Sequence, residues 1–205
     1  MPRTKGKPKP PVPNRDTLIA DILKVTNEKH RALFAFMYLT GCRISEIVGL
    51  KNTKWNGKPP IINKYHLDAR PIQRSQLTQE TSTNGKPILL VSNVSVLKQK
   101  PRGVKHIPIS IESEPSLSKC VIGYANTIPQ GEYLWDYHKD YVGQIIKKEL
   151  NPEFFSHFMR HCRASRLVGD KSLNISKLIQ MMGWKDARPA TTYTHLNWKE
   201  YADDI

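Results

Sequence analysis

The most suggestive chemical group in this sequence is a histidine and an arginine in the segment HFMRHCRAS. His157 and Arg160 are three residues apart, a spacing that places the imidazole and the guanidinium on the same face of a helix. Arginine donates two parallel hydrogen bonds and stays protonated near neutral pH, so the pair is suited to holding a phosphate group. On its own, however, this spacing more often marks an exposed charged helix surface.

A metal site is a weaker interpretation of the same segment. His157 and His161 are four residues apart, which is also a zinc-ligand spacing. A zinc site needs a third protein ligand, and the sequence offers no acidic partner of the usual type nearby. We therefore predict neither a metal nor any other cofactor.

The charge balance indicates a polyanionic partner. The 205 residues include 32 Lys and Arg against 18 Asp and Glu, which gives a formal charge of +14, and the sequence pI is about 9.7. Nucleic acid is the simplest partner for such a chain, with an acidic protein or a membrane surface as alternatives. Three widely spaced cysteines do not suggest a disulfide framework, and we find neither a signal peptide nor a membrane-spanning run. These features predict a soluble protein of a reducing, intracellular compartment.

The elements that must position these residues are mainly helical. Apolar spacing predicts three helices between Asp16 and Leu50, the last one short, and further helices over 115–127, 139–150, 152–168 and 173–183. Ser172 and Asn174 are candidate helix caps, and Gly183 is a candidate terminator. Segments 86–97 and 104–111 are rich in β-branched residues around the turn KQKPRG and predict a β-hairpin. Residues 52–85 are polar and give no clear periodicity.

The resulting fold class is α+β, mainly helical, with a small antiparallel hairpin or sheet at one edge. We predict a flexible basic tail rich in Pro and Lys over residues 1–15 and a single domain over 16–205.

Four segments occur in a specific order: TGCRISEIVGL, the lysine-bearing hairpin, HFMRHCRAS, and GWKDARPATTYTHL. This pattern resembles the tyrosine recombinases, the phage integrase family, from about Thr17 to Tyr201. The family's second motif, His-x-Leu-Arg-His-Thr, is met with Met159 in place of Leu and Cys162 in place of Thr. The resemblance implies a catalytic domain of that fold. The helical core-binding domain that commonly precedes it in the family is not expected here.

The resemblance also implies a set of catalytic residues, namely Arg43, Lys100, His157, Arg160, Trp184 and Tyr193. Lys98 remains an alternative to Lys100 as the hairpin lysine. Glu46 either orients Arg43 as an ion-pair partner or lies in solvent. We further predict that DNA is contacted by Lys98, Arg102, Lys105, His161 and Arg163.

The implied activity is site-specific recombination or integration of double-stranded DNA. Tyr193 would attack a phosphodiester to give a 3′-phosphotyrosyl intermediate, without metal or ATP, while Arg43 and Arg160 stabilise the charge that develops. The family assembles as a homo-tetramer on DNA and as a dimer or monomer when free. Members serve mobile genetic elements and act in the cytoplasm at the nucleoid, or in an infected host cell.

Two other functions fit the same residues. One is a catalytically inactive DNA-binding regulator with the same fold, and the other is an enzyme resembling type IB topoisomerases. Formation of a covalent protein–DNA adduct separates the enzymes from the regulator.

Overall fold

A computed structural model describes residues 11–50, 69–97, 103–169 and 173–191. Several sequence predictions concern residues outside these ranges: residues 1–10 of the tail, Ser172 as a helix cap, the hairpin-turn residues Lys98, Lys100 and Arg102, and Tyr193. Eight helices and three strands are described, in the order ααα-βββ-ααααα, with one additional 3-10 turn at Arg74–Gln76 before the first strand.

The predicted helices are present with small changes at their ends. The helices of the first half are α1 (Arg15–Lys24), α2 (Glu28–Thr40) and α3 (Ile44–Val48). Those of the second half are α4 (Pro115–Asn126), α5 (Lys139–Glu149), α6 (Ser156–Gly169), α7 (Ile175–Met182) and α8 (Arg188–Thr191). No helix of the described residues is long and apolar enough to cross a membrane.

Side-chain and glycine caps explain where several helices begin and end. Asn174 begins α7 by accepting a hydrogen bond from the Ser176 amide at 2.8 Å, as predicted. Gly183 ends the same helix in the left-handed conformation, with φ at 62°. Helix α6 starts at Ser156, four residues later than the predicted 152. The reason is a turn in which Asn151 accepts the Glu153 amide through its side chain at 2.8 Å and the Phe154 amide through its carbonyl at 2.9 Å.

The three strands form one antiparallel sheet in the order β1-β2-β3. The predicted hairpin is confirmed as β2 (Pro87–Val96) and β3 (Gly103–Ser110). Strand β1 (Leu77–Thr81) lies in the polar segment 52–85, which shows no clear periodicity because only Leu77 of the five strand residues is buried. The register between β2 and β3 shifts between Val91 and Val94, which marks a bulge.

Helix α2 is the centre of the main core. Every residue from Ala32 to Thr40 is buried, and the helix packs against α4 on one side and α6 on another. A helix that is apolar all round belongs in an interior, which is why α2 shows no strong amphipathic face. A second, smaller cluster joins α6, α7 and α8 through Leu167, Leu178, Met182 and Ala190.

Gly49 joins α3 to the segment that leads into the sheet, and it permits no side chain. Its φ is 71°, and a methyl group there would lie 2.6 Å from the Ala69 carbonyl oxygen and 2.7 Å from the Pro71 nitrogen. Backbone atoms cannot move aside as a flexible side chain would.

We therefore expect Gly49→Ala to lower the free energy of unfolding by more than about 3 kcal/mol, since it adds a backbone clash to the cost of a left-handed alanine. Gly85→Ala is the matched control, because Gly85 has a similar φ of 74° but open space around it. The control should lose only about 1 kcal/mol in urea unfolding. Equal losses in the two variants would contradict the packing argument.

Candidate active site

The Arg160 guanidinium joins two of the sequence motifs. Its Nη1 donates to the Gly41 carbonyl at 2.7 Å, and its Nη2 donates to the Met182 carbonyl at 2.7 Å. The first carbonyl belongs to the TGCR turn that ends α2, and the second precedes the Gly183–Trp184 turn that ends α7. With 1 % exposure, Arg160 is among the largest fully buried side chains described. Its fork therefore fixes the distance between Arg43 and Trp184.

Trp184 covers the same guanidinium. The Arg160 Cζ lies 5.6 Å from the centre of the indole ring, within the range of a cation–π interaction. The Trp184 amide donates to the Ile179 carbonyl at 3.0 Å, which fixes the turn after α7. The indole is thus held against Arg160 by the backbone as well as by ring packing.

Glu46 fixes Arg43 from the other side. Its carboxylate accepts from the Arg43 backbone amide at 3.0 Å and from the Arg43 Nη1 at 2.7 Å. A third donor, the Lys105 ammonium, approaches the same carboxylate at 3.1 Å. Since Glu46 is only 2 % exposed, the carboxylate orients Arg43 and does not lie in solvent.

The charge of Glu46 is maintained by these neighbours. Burial alone raises the pKa of the Glu46 carboxyl, but the positive charges of Lys105 and Arg43, together with the hydrogen bonds from Arg43, outweigh it. The net pKa therefore lies below the ordinary value. A buried carboxylate that stays ionised is what allows two cations to be held beside it.

The sheet reaches this region through Gly183. A methyl group at Gly183 would lie 3.1 Å from the Lys105 Cδ and 3.2 Å from the Val96 side chain. The end of β2 and the beginning of β3 therefore pack against the turn that carries Trp184. The hairpin turn with Lys98 and Lys100 lies between these strand ends in the chain.

Arg43 and Trp184 line one surface depression of about 250 Å³. Helix α8 forms part of its wall through Arg188 and Pro189. This helix ends at Thr191, two residues before Tyr193 in the chain. The depression thus unites the first predicted motif with the segment that leads to the predicted nucleophile.

The two histidines of the second motif occupy the first half of α6. His157 is exposed, whereas His161 is half-buried, with its ring centre 6.1 Å from that of Phe158. His157 and Arg160 share one helix, as predicted, but only the arginine points into the protein interior.

Two residues that we predicted to contact DNA are engaged inside the protein. Lys105 is 6 % exposed and paired with Glu46. Lys105 lies on the same face of β3 as the buried Ile107 and Ile109, because the three residues are spaced two apart. This period-two spacing in the sequence indicates that its side chain faces the interior. Its role in the structure is to neutralise Glu46.

Arg163 is the second such residue. It is 7 % exposed, its guanidinium lies 5.8 Å from the centre of the Tyr38 ring, and its Nη1 is 4.0 Å from the Glu114 carboxylate. Along α6, Arg163 lies four residues after the buried Met159 and four residues before the buried Leu167. Residues at this spacing share one face of a helix, and here that face packs against the protein interior.

The three cysteines are free thiols, as the sequence predicted. Burial raises the pKa of the Cys162 thiol to about 12 and also raises that of Cys42. Both groups therefore stay protonated near neutral pH and act as small apolar side chains.

Solved structures identify the fold of this chain. The XerH site-specific recombinase bound to a difH substrate has 18 % sequence identity and a TM-score of 0.57, over 96 % of this chain and 53 % of XerH. The Tn1549 transposon integrase in complex with circular intermediate DNA has 17 % identity and a TM-score of 0.57, over 98 % of this chain and 66 % of that protein. XerA recombinase has 14 % identity and a TM-score of 0.57, over 97 % of this chain and 65 % of XerA. The chain has the fold of a tyrosine recombinase catalytic domain.

A curated sequence relative agrees with this fold. Tyrosine recombinase XerD of Lacticaseibacillus casei is 27 % identical over 193 residues, which is 89 % of this chain and 56 % of XerD. The chain therefore spans little more than half the length of XerD and XerH. No family model matches the sequence. The relative and the solved structures therefore agree on the fold of a tyrosine recombinase catalytic domain.

The ion pairs of Glu46 predict a pH-dependent stability. Glu46→Gln leaves Lys105 and Arg43 without their carboxylate, and we expect it to lower the free energy of unfolding at neutral pH by about 3–5 kcal/mol. Because the folded-state pKa of Glu46 is lowered, its contribution is fully present above the unfolded pKa of about 4.3 and is lost as the pH falls further toward the folded pKa. Urea unfolding of both proteins from neutral to acidic pH measures the difference.

The gap between wild type and Glu46→Gln should therefore be widest above about pH 5 and should shrink below about pH 4.3. Glu80→Gln, at an exposed position of β1, is the matched control and should track the wild type. A gap that stays constant across this range would contradict the assigned ionisation of Glu46.

The two carbonyl contacts of Arg160 predict that lysine cannot replace it. Arg160→Lys keeps the charge but loses the planar fork, so we expect a loss of about 2–3 kcal/mol in unfolding free energy. Arg31→Lys is the control, because among the described residues the Arg31 guanidinium bonds one carbonyl, that of Val25, through Nη1 at 2.9 Å. Urea denaturation should show a much smaller loss in the control, and equal losses would argue against the bridging role.

Proposed function

We propose that this chain is the catalytic part of a site-specific recombinase, which cleaves and rejoins strands of double-stranded DNA through a 3′-phosphotyrosyl intermediate at Tyr193. The observation that supports this function best is the Arg160 fork, which holds the Arg43 turn and the Trp184 turn together. A guanidinium such as that of Arg43, held in a fixed frame, is suited to a group with several anionic oxygens, such as a phosphodiester.

Arg43 is the cation that would act on the substrate most directly. It lines the depression beside Trp184, and its side chain is 14 % exposed. Its Nε–H is buried and has no hydrogen-bond acceptor among the residues that the structure describes, so this donor would be satisfied by an anionic ligand. Glu46 fixes the guanidinium before substrate arrives, so its donors need little reorganisation in the transition state.

The chemistry is a transesterification. The Tyr193 oxygen forms a bond to phosphorus, the bond from phosphorus to the 5′-oxygen breaks, and that oxygen takes up a proton. His157 would accept the tyrosine proton or donate to a phosphate oxygen, and Lys100, with Lys98 as the alternative, would protonate the leaving oxygen. Trp184 would donate its indole N–H to the phosphate. The phosphotyrosine keeps the energy of the broken bond, so rejoining by a 5′-hydroxyl requires neither ATP nor a metal.

Assembly and further DNA contacts follow from the same proposal. Lys98, Arg102 and His161 would contact the DNA around the scissile phosphate, and four copies would assemble on two DNA sites. The curated relative is named as a tyrosine recombinase, and two of the similar structures are named as complexes with DNA. These names support DNA as the partner, and the transposon integrase supports a mobile genetic element as the setting.

Trapping a covalent adduct tests the proposal. The protein is incubated in EDTA, without ATP, with nicked duplexes drawn from a library of candidate sites, and the products are separated on a denaturing gel. We expect an adduct with the wild type and none with Tyr193→Phe, because phenylalanine has no nucleophilic oxygen. Arg43→Lys should slow its formation by about 10²–10³-fold, since one preorganised donor is lost.

Binding of the same duplexes by fluorescence anisotropy serves as the control, and Tyr193→Phe should bind as the wild type does. An adduct that persists in Tyr193→Phe would overturn the assignment of the nucleophile. Tight binding without any adduct from the wild type would favour the inactive DNA-binding regulator.

A further inference from the structure

A second depression lies beside the Arg43–Glu46 pair. Its volume is about 350 Å³, and Glu46 is part of its wall. The other walls come from the segment that leads into β1, including Arg70 and Gln73, and from the second half of β2, Ser92–Ser95. Of the predicted catalytic residues that the structure describes, none lines this depression.

The β2 wall is an open strand edge within the described part of the chain. Strand β1 pairs with β2 only as far as Leu77 opposite Val91, so from Ser92 onward β2 pairs with β3 alone among the described residues. Gln76 occupies the start of the open edge, where its Nε2 donates to the Ser92 carbonyl at 2.8 Å and to the Asn93 carbonyl at 3.1 Å. The depression thus begins where sheet pairing stops.

Asn93 is presented at this edge in an uncommon conformation. It is the one non-glycine residue with a positive φ, 54°, among the described residues, and it lies in the bulge of β2. The two bonds from Gln76 hold the bulge in place, and the Asn93 side chain is exposed. A bulge of this kind redirects a side chain away from the alternation of the strand.

The charge of the depression favours an anionic partner. Among the described residues that line it, Glu46 is the one acidic residue, and Arg43 and Lys105 already neutralise that carboxylate. Arg70, which is exposed at the rim, therefore leaves the depression with a net positive charge. Amide and hydroxyl groups of Gln73, Ser75 and Ser95 supply further hydrogen-bonding capacity.

We propose that this depression is a second DNA contact, in which the Arg70 guanidinium and the Asn93 amide bind the sugar–phosphate backbone beside the scissile phosphate. The inference rests on the proposed function, because the depression shares Glu46 with the frame of Arg43 and so continues the surface that would face the DNA. Duplex DNA fits better than an acidic protein segment, because a continuous backbone occupying the Arg43 site would also reach the adjacent depression.

The test measures binding to a fluorescein-labelled duplex of random sequence at a series of NaCl concentrations. Arg70→Gln removes one phosphate contact, so the slope of log K against log [NaCl] should become shallower by about 0.9. Lys119→Gln, which removes a charge from an exposed position of α4 bordering neither depression, should keep the wild-type slope.

Asn93→Gly tests the second half of the contact. Glycine accepts the positive φ without strain, so thermal unfolding should match or slightly exceed that of the wild type. Loss of the amide should weaken duplex binding about fivefold at fixed salt, with little change in slope. Wild-type affinity in this variant would exclude Asn93 from the contact.

Three outcomes separate this inference from the proposed function. If the wild type forms the covalent adduct while Arg70→Gln has the same salt slope as Lys119→Gln, the second contact is overturned and the proposed function stands. If the wild type neither binds the duplex nor forms an adduct, both are overturned. A labelled polyglutamate peptide that binds the wild type and not Arg70→Gln, with duplex binding unchanged, would reassign the depression to an acidic protein partner.

Discussion

The candidate site depends on one buried guanidinium that is bonded to two backbone carbonyls. Arg160 spans the ends of α2 and α7, and both helices end there in glycines with left-handed φ, Gly41 and Gly183. A left-handed terminal residue turns the chain sharply, which leaves the Gly41 and Met182 carbonyls oriented toward α6. The motif residues after each glycine, Arg43 and Trp184, are therefore placed by helix termination as much as by their own side chains.

Keeping several cations together in a protein interior requires compensation, and Glu46 and Glu114 supply it. Glu46 binds Arg43 and Lys105, while Glu114 lies within 3.0 Å of Arg15 and 2.9 Å of Arg166. Each carboxylate is almost fully buried and faces more than one cation. Desolvation of an ion is costly unless its partners are close and well oriented, so these two carboxylates stabilise Lys105, Arg166 and the Arg43 guanidinium in buried or half-buried positions.

The sequence predicted most of the helices well, but it did not predict the start of α6 or the presence of strand β1. Helical spacing, asparagine caps and glycine terminators are local signals, and they located α1 to α5 and α7 to within a few residues because the forces involved act over one or two turns. The start of α6 was misplaced, since Asn151 forms a competing turn. Strand β1 was missed because four of its five residues are exposed, so it lacks the alternation that identifies a half-buried strand.

The sequence by itself determined the order of the motifs, the resemblance to tyrosine recombinases and the mainly helical fold. It left Glu46 either as an ion-pair partner of Arg43 or in solvent, and the structure selected the ion pair. Tertiary structure decided which basic residues are enclosed. Lys105 meets Glu46 across 59 positions of the chain, and Arg160 meets Gly41 across 119. No local pattern encodes such pairs, because a charged side chain turns inward only when a distant partner compensates for the water it loses.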